Sequence, residues 1–404
     1  MRRKYRRRSV FPLALAALLL LSGAAGGLYY HQMGPRKQAL FERAAYYREL
    51  AAGEAAWLSS IQLENGAIPF RGETHGEASI TPYFSDIAAW GLLEGGEYRA
   101  VRDYIQWHMA HLNDAVSDYS GIAGTIYDYT IEVDDGKVVS EKSERHYDSV
   151  DSYAATFLIL ISEYCQRTGD EALFRQYQDQ VLLVLGAMER TIDRDGLSFT
   201  KPDYLVKYLM DNAEVYAALG CVESLLERYP VPDGERILTW LRQRRTSLNE
   251  RLEALLWNQG ERRYETGADA KGRTLAFGGW QEFYPDATAQ LFPILFGLLE
   301  PASQRAQEIY QRFCREHAWQ EMEHYATGNA SFYWGLVAYA GAKMGDEERV
   351  YQYMEYYRRR VLPDRDYPLY CGDAGWIILA CGEMARWCET EMERIDPLGL
   401  VQVQ

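Results

Sequence analysis

Asp148 and Asp151 stand three residues apart in HYDSVDSYAATF (146–157), just ahead of an almost wholly apolar run. Carboxylates at that spacing share one face of a helix's first turn. There they can cap backbone N–H groups or do acid–base chemistry. The arrangement recurs: apolar helix-like runs open with TPYFSD (81–86), DSVD (148–151), DNAE (211–214), YPDA (284–287), GNAS (328–331) and GDAG (372–375). Five of these six openings carry Asp, namely Asp86, Asp148 with Asp151, Asp211, Asp286 and Asp373, and the other carries Asn329. One acid per helix suffices for a cap, yet Asp148 with Asp151 and Asp211 with Glu214 supply two. A ring of carboxylates around one mouth suits cleavage of a glycosidic bond, which needs one neutral carboxyl to protonate the leaving oxygen and one ionised partner. Helix N-termini favour the ionised form, so these Asp residues suit the base or stabilising role. The acid is then expected in a loop, at Glu73 or Glu77 of RGETHGEASITPYF (71–84), with Asp86 as a third candidate. The candidate catalytic set is Glu77, Asp86, Asp148, Asp151 and Asp211.

The elements that must position these groups come in pairs. Amphipathic stretches such as GERILTWLRQRRTSLNERLEALLW (234–257) show charged and apolar residues at helical spacing. They alternate with stretches apolar nearly all round, such as AATFLILISEYC (154–165), which implies burial on every side. The pairs fall at 38–63 with 82–94, 97–112 with 148–167, 170–192 with 211–228, 234–257 with 285–299, 302–317 with 330–344, and 347–361 with 373–392. Six amphipathic helices around six buried ones describe an all-α fold, an (α/α)6 toroid of six helical hairpins. A helical solenoid would show a tighter period and a repeated consensus.

Connections from a buried helix to the next amphipathic one are tight, as in LEGGEY (93–98) and KMGDEE (343–348). The reverse connections are long: 64–81, 113–147, 193–210, 258–284, 318–329 and 362–372. Long loops are usually functional, and in a toroid all of these fall on the rim that carries the Asp residues. Within 113–147, YDYTIEVDDGKVVS alternates around Asp135-Gly136 and predicts a β-hairpin over the mouth. Rim aromatics Tyr83, Tyr147, Trp280, Tyr284, Tyr325 and Tyr370 are candidate sugar platforms, since Tyr and Trp present a flat apolar face with a polar handle. Packing between helices is the plainer reading of most of the 31 Tyr and 10 Trp. Asp286 and Asp373 complete the candidate substrate contacts.

The first eight residues, MRRKYRRR, hold six positive charges, and residues 9–30 are uncharged. That run is long enough to span a bilayer. Its basic flank predicts a cytoplasmic tail at 1–8, a transmembrane signal anchor at 9–31 and everything beyond outside the membrane. A cleaved signal peptide with release of the domain is the alternative. A linker at 32–37, the toroid at 38–393 and a tail at 394–404 complete the organisation. Without the six basic residues the formal charge passes from −15 to −21, which opposes nucleic acid and anionic lipid as partners. None of the six cysteines forms a C-x-x-C; most read as small buried apolar residues, although an exported domain could oxidise a pair. GADAKGRT (267–274) lacks the Lys and the preceding strand of a phosphate-binding loop. His108 and His111 have no third ligand nearby, so a solvated helix face is expected there. Neither a metal nor a cofactor is expected.

Six helix pairs with long loops on one rim and acid-led inner helices resemble the six-hairpin glycosidase-like superfamily over residues 38–393. YDSVDSYAATFLIL (147–160) also resembles the second inner helix of family 8 glycoside hydrolases. That resemblance implies that Asp148 and Asp151 contact sugar at the cleavage point. It also implies inversion of configuration by carboxyls roughly 6.5–9.5 Å apart. The family's acid is a Glu in a Ser-Glu-Gly context, where this chain has Gly72-Glu73-Thr74 and Gly76-Glu77-Ala78. The resulting expectation is a membrane-anchored, extracytoplasmic glycoside hydrolase acting on a polysaccharide or oligosaccharide. Its partners would be that substrate, the membrane through the N-terminal helix, and polysaccharide-synthesis proteins. The absent Ser-Glu-Gly motivates a second reading, a non-catalytic glycan-binding or synthesis-accessory protein. A polysaccharide lyase using His146 is a third, disfavoured by the acidic domain.

Overall fold

The computed structural model describes the helical backbone from residue 11 and residues 33–404, apart from 135, 276, 323–331, 367, 398 and 400–404. Helices dominate, with three small antiparallel sheets. The chain divides into two compact units, residues 1–49 with 384–404, and residues 50–383.

In the first unit, Lys37 pairs with Asp396 at 2.7 Å and Arg48 pairs with Glu389. Helix α1 (Phe11–Ile61) runs unbroken through the expected linker at 32–37. Met33 and Arg36 to Leu40 are strong helix formers and outweigh the single Pro35. The expected anchor at 9–31 falls on residues whose side chains lie outside the described ones. Among the described residues no helix is long and apolar enough to cross a membrane.

The second unit carries the alternation read from the sequence. Its helices continue as α2 (Pro82–Glu94), α3 (Tyr98–Ala110), α4 (Asp151–Thr168), α5 (Glu171–Thr191), α6 (Leu209–Arg228), α7 (Gly234–Leu256), α8 (Phe292–Leu295), α9 (Gln304–Glu316), α10 (Gly335–Lys343), α11 (Glu347–Arg360) and α12 (Cys371–Ile395). Even-numbered helices are the apolar set, and they pack on one another in succession: α2 on α4, α4 on α6, α6 on α8, α8 on α10. Glycines complete the circuit. A Cβ on Gly335 of α10 would lie 2.9 Å from the Asp373 carbonyl of α12, and one on Gly91 of α2 would lie 2.5 Å from the Gly375 Cα of α12. Backbones approach that closely only where side chains are absent. Odd-numbered helices pack outside, α3 on α2, α5 on α4, α7 on α6 and α11 on α10. The arrangement is consistent with an (α/α) toroid.

Two expected elements differ. The fourth inner helix, expected at 285–299, is a kinked π-turn at Phe283–Ala287 followed by a broken stretch whose longest α-helical run is Phe292–Leu295. Pro293 has no N–H to give and suits only a first turn, and Gly297 at φ +74° ends the run. The hairpin around Gly136 is present as β2 (Tyr129–Asp134) and β3 (Lys137–Ser143), and a third strand, β1 (Gly76–Ile80), pairs with β2. Strand β4 (Val206–Tyr208) leads into α6. Next come β5 (Trp257–Asn258), β6 (Arg263–Tyr264), β7 (Gly267–Asp269) and β8 (Thr274–Leu275). The sheet β4-β7-β8 uses GADAKGRT as a hairpin, its turn held by the Asp269 carboxylate accepting from the Lys271 and Arg273 N–H groups.

Candidate active site: a graded carboxylate cluster

Four of the singled-out acids converge where α4 and α6 begin. Neither helix is capped by a side chain, and its first residues follow Val150 and Tyr208. Asp148 is exposed, Asp211 half-buried, and Asp151 and Glu214 fully buried. The buried pair survives because polar groups face it. Ser198 Oγ donates to Asp151 Oδ2 at 2.7 Å and the Ser152 N–H to Oδ1 at 2.9 Å. Tyr83, from the first turn of α2, donates its hydroxyl to Glu214 at 2.7 Å. Thr200 Oγ1 donates to Asp211 at 3.1 Å. The 193–208 segment that presents Ser198 and Thr200 is fixed by Lys207, 1 % exposed, which meets both Asp193 and Asp195 at 2.7 Å.

The electrostatics grade with burial. Burial pushes Asp211 up to about 6, with the Asp148 charge adding to it and the Thr200 and Ser152 hydroxyls opposing. Burial and the neighbouring Asp211 charge push Glu214 up to about 8 against the Ser152 and Tyr83 hydrogen bonds. Burial and Asp211 also hold Asp151 well above the carboxylate range. Helix N-termini on their own would keep these acids ionised. Removal from water and mutual repulsion win instead, because a helix terminus contributes about 1 kcal/mol and burying an unpaired charge costs several times that.

A fifth acid joins them unforeseen. Asp128, at the foot of the hairpin, accepts from the Tyr153 hydroxyl at 2.9 Å and lies 3.5 Å from Nδ1 of exposed His146. Burial raises it to about 6, with Asp148 among the charges contributing. YDYT (127–130) was legible only as strand, since a loop residue has no periodicity to betray which way it points.

The remaining candidates lie elsewhere. Asp86 is buried within α2, accepting from Tyr104 at 2.7 Å and Thr156 at 2.8 Å, with His108 Nδ1 at 3.4 Å. His108 is therefore buried rather than on a solvated face, and His111 pairs with Glu141. Glu77 is exposed on β1 opposite Glu132, and Glu73 accepts from the Arg71 N–H. Asp286 accepts from three successive N–H groups, Phe277, Gly278 and Gly279, at 2.6–2.9 Å and from Thr266. Burial opposes these donors, yet together they hold Asp286 below the ordinary value. Asp373 accepts from the Tyr333 and Gly335 N–H groups and so serves the start of α10 from α12. Burial outweighs those bonds and pushes it to about 7.

Among the aromatics, Tyr147 is buried and stacked on Tyr119 and Tyr127. Trp280 is buried against Arg312, and Tyr370 packs with Phe70, Phe84 and Phe332. Tyr325 and Asn329 lie outside the described residues. Tyr284 is 45 % exposed, feels Asp211, Asp148 and Glu214, and rests 4.7 Å from Trp334. All six cysteines are free thiols. Among the described residues no cluster of His, Cys, Asp and Glu could hold a metal ion.

Paired helices of which the apolar members pack on one another in succession define a class at the level of the fold, a glycosidase-like (α/α) arrangement. Solved structures of that kind match the chain. A glycosidase in complex with glucose aligns over 89% of this chain and 99% of its own at TM-score 0.57 and 13% identity. A rhamnosidase from Klebsiella oxytoca with rhamnose bound aligns over 83% of this chain and 64% of its own at TM-score 0.54 and 12% identity. An alpha-amylase from Clostridium perfringens aligns over 82% and 97% at TM-score 0.54 and 8% identity. No protein-family model matches the chain, and no curated protein matches it in sequence. At these identities the likeness defines the fold.

Proposed function

We propose that the protein is a glycoside hydrolase acting on a polysaccharide or oligosaccharide, with Asp211 as general acid and Asp148 as the carboxylate that activates water. The observation carrying this reading is the gradient of the cluster. Asp211 is half-buried and raised to about 6, so it keeps its proton in mildly acid solution, where an ordinary Asp is ionised, and still reaches the surface. Asp148 is the exposed member beside it. A neutral acid next to an accessible carboxylate is the pair that cleavage of a glycosidic bond uses. Asp151 and Glu214, both fully buried, lie close enough to Asp211 for the charges to repel, which favours the protonated form across the cluster.

In this reading a glycosidic oxygen receives the Asp211 proton as the bond to the anomeric carbon breaks. Water, deprotonated by Asp148, adds to that carbon from the opposite face, and configuration inverts. The basic tail and uncharged run at 1–31 support placing the domain outside the membrane.

Reducing-end release from a glycan panel tests the activity. The wild type should release ends, and Asp211→Asn and Asp148→Asn should not. Proton NMR of the first-formed product should show the inverted anomer. A wild type inert on every glycan, or variants as active as it, would end the proposal. Protease accessibility of the 50–383 unit in intact cells tests the placement.

A further inference from the structure

Six large aromatic side chains among the described residues are exposed: Phe41, Tyr98, Tyr119, Tyr204, Phe277 and Tyr284. Isolated exposed aromatics are ordinary on any protein surface. Four of these six, however, come from three consecutive rim connections, 113–147, 193–210 and 258–284, the ones that lead into α4, α6 and the fourth inner segment.

Their positions are linked by strand pairing and side-chain contact. Tyr119 donates its hydroxyl to Asp203 at 3.2 Å. The neighbouring Tyr204 ring lies 6.4 Å from that of Tyr208, with the two hydroxyls 3.0 Å apart. Tyr208 ends β4 and lies near Asp211 and Tyr284. In the sheet, Tyr208 pairs with Gly267 and Gly267 with Leu275, two residues before Phe277. Phe277 in turn gives its N–H to Asp286 at 2.8 Å, and Tyr284 stands two residues before Asp286. Tyr119, Tyr204 and Tyr208 are thus tied together by side-chain contacts next to Asp203, and backbone pairing and the Asp286 carboxylate bring the segments that carry Phe277 and Tyr284 alongside.

We propose that this series is an extended sugar-binding ledge, on which pyranose rings of one polysaccharide chain lie beyond the bond being cut, so that the enzyme acts within long chains. Tyr faces suit pyranose rings because each ring has an apolar C–H face and equatorial hydroxyls at its edge. Tyr presents a matching flat surface with a hydroxyl at one end. Asp203 and the paired Tyr204 and Tyr208 hydroxyls provide acceptors along the same line. Binding energy gathered by rings remote from the cleaved bond raises turnover of long substrates specifically. Phe41 and Tyr98, in α1 and α3, stand outside these three connections and set the comparison.

The ledge rests on the hydrolase reading, and the test separates the two. The full chain, its Tyr204→Ala/Phe277→Ala variant and a Tyr98→Ala control are compared on soluble neutral glucans and partly deacetylated chitin. Each polymer is paired with its shortest cleaved oligomer, and binding is followed in parallel by affinity electrophoresis in gels containing the same polymers. Expected is a roughly tenfold or greater loss of kcat/KM on polymer for the double variant. On the shortest oligomer the loss should stay within about twofold, Tyr98→Ala should match the wild type, and gel retardation should weaken in the double variant alone. Equal losses on polymer and oligomer, or no loss on either, would overturn the ledge while leaving the hydrolase reading intact. A wild type that is retarded by polymer through these residues yet cleaves nothing would support the ledge and overturn the hydrolase. Absence of both cleavage and retardation would overturn both.

Discussion

Replacing Glu214 by Gln should stabilise the protein, and increasingly so as pH rises above about 4.5. Glu214 is sealed between Tyr83 and Asp211, and a carboxyl ordinarily at 4.5 titrates there at about 8. The folded state therefore binds one more proton than the unfolded state throughout that interval. Stability must fall as pH rises through it. Between the two values each pH unit costs about 1.4 kcal/mol. The full interval corresponds to on the order of 3–5 kcal/mol once the sharing of repulsion with Asp211 is allowed for. Gln keeps the carbonyl oxygen that accepts from Tyr83 and cannot ionise, so it removes the cost without removing the hydrogen bond. Near pH 3.5, below both values, the side chain is neutral in the folded and unfolded states alike, and wild type and variant should melt together. At pH 8.5 the variant should melt roughly 4–7 °C higher, because a unit spanning residues 50–383 converts each kcal/mol into roughly 1–1.5 °C. Thermal unfolding followed by circular dichroism at the two pH values measures this directly. The difference between variant and wild type isolates Glu214 from every other titrating group. A variant that melts no higher than wild type at pH 8.5 would refute the claim that burial and Asp211 keep this carboxyl neutral.

Further outcomes follow from the same contacts. Asp211→Asn should lower kcat by about 10²–10⁴-fold with no fall in melting temperature, and wild-type kcat/KM should decline above about pH 6, where Asp211 loses its proton; steady-state kinetics across pH 4–9 checks both. Asp86→Ala leaves the Tyr104 and Thr156 hydroxyls short of an acceptor and should cost about 1–3 kcal/mol in urea unfolding, while Asp86→Asn should keep wild-type kcat, in contrast to an acid catalyst. Gly91→Ala drives a methyl into the Gly375 backbone of α12 and should destabilise by about 1–3 kcal/mol, as should Gly375→Ala, with the double variant no additive sum of the two.

The alternation of helices was legible because it rests on local periodicity, and α3, α5, α6 and α11 begin and end within a few residues of their expected bounds. The fourth inner helix was not, because FPILFGLL reads as one apolar run until Pro293 and Gly297 are given their backbone meaning. The acids divide in the same way. Asp148 with Asp151 and Asp211 with Glu214 stood out because two acids within one turn exceed what a cap needs, and these four do come together. Single acids carried no such signal, and their tasks are long-range: Asp373 serves the start of α10 from another helix, Asp286 gathers the 277–279 turn, and Asp86 is spent on Tyr104 and Thr156 inside the ring.

Capping by Asp is also present in this protein, and its location sharpens the distinction. Asp170 accepts from the Leu173 N–H at 3.0 Å, and Asp346 from the Arg349 N–H at 3.4 Å, at the starts of α5 and α11. Both lie in the tight turns RTGDEA and KMGDEE that lead into outer, solvated helices. There a cap is the cheapest way to satisfy N–H groups that nothing else covers. At the opposite rim, α4 and α6 start without a side-chain cap, and their acids turn toward one another instead. Like charges at close range raise the energy of the folded state, so local stability does not explain the arrangement. Residues that could have capped and do not, at a site where burial together with repulsion holds two carboxyls at about 6 and about 8, fit the proton-donating role proposed for this cluster.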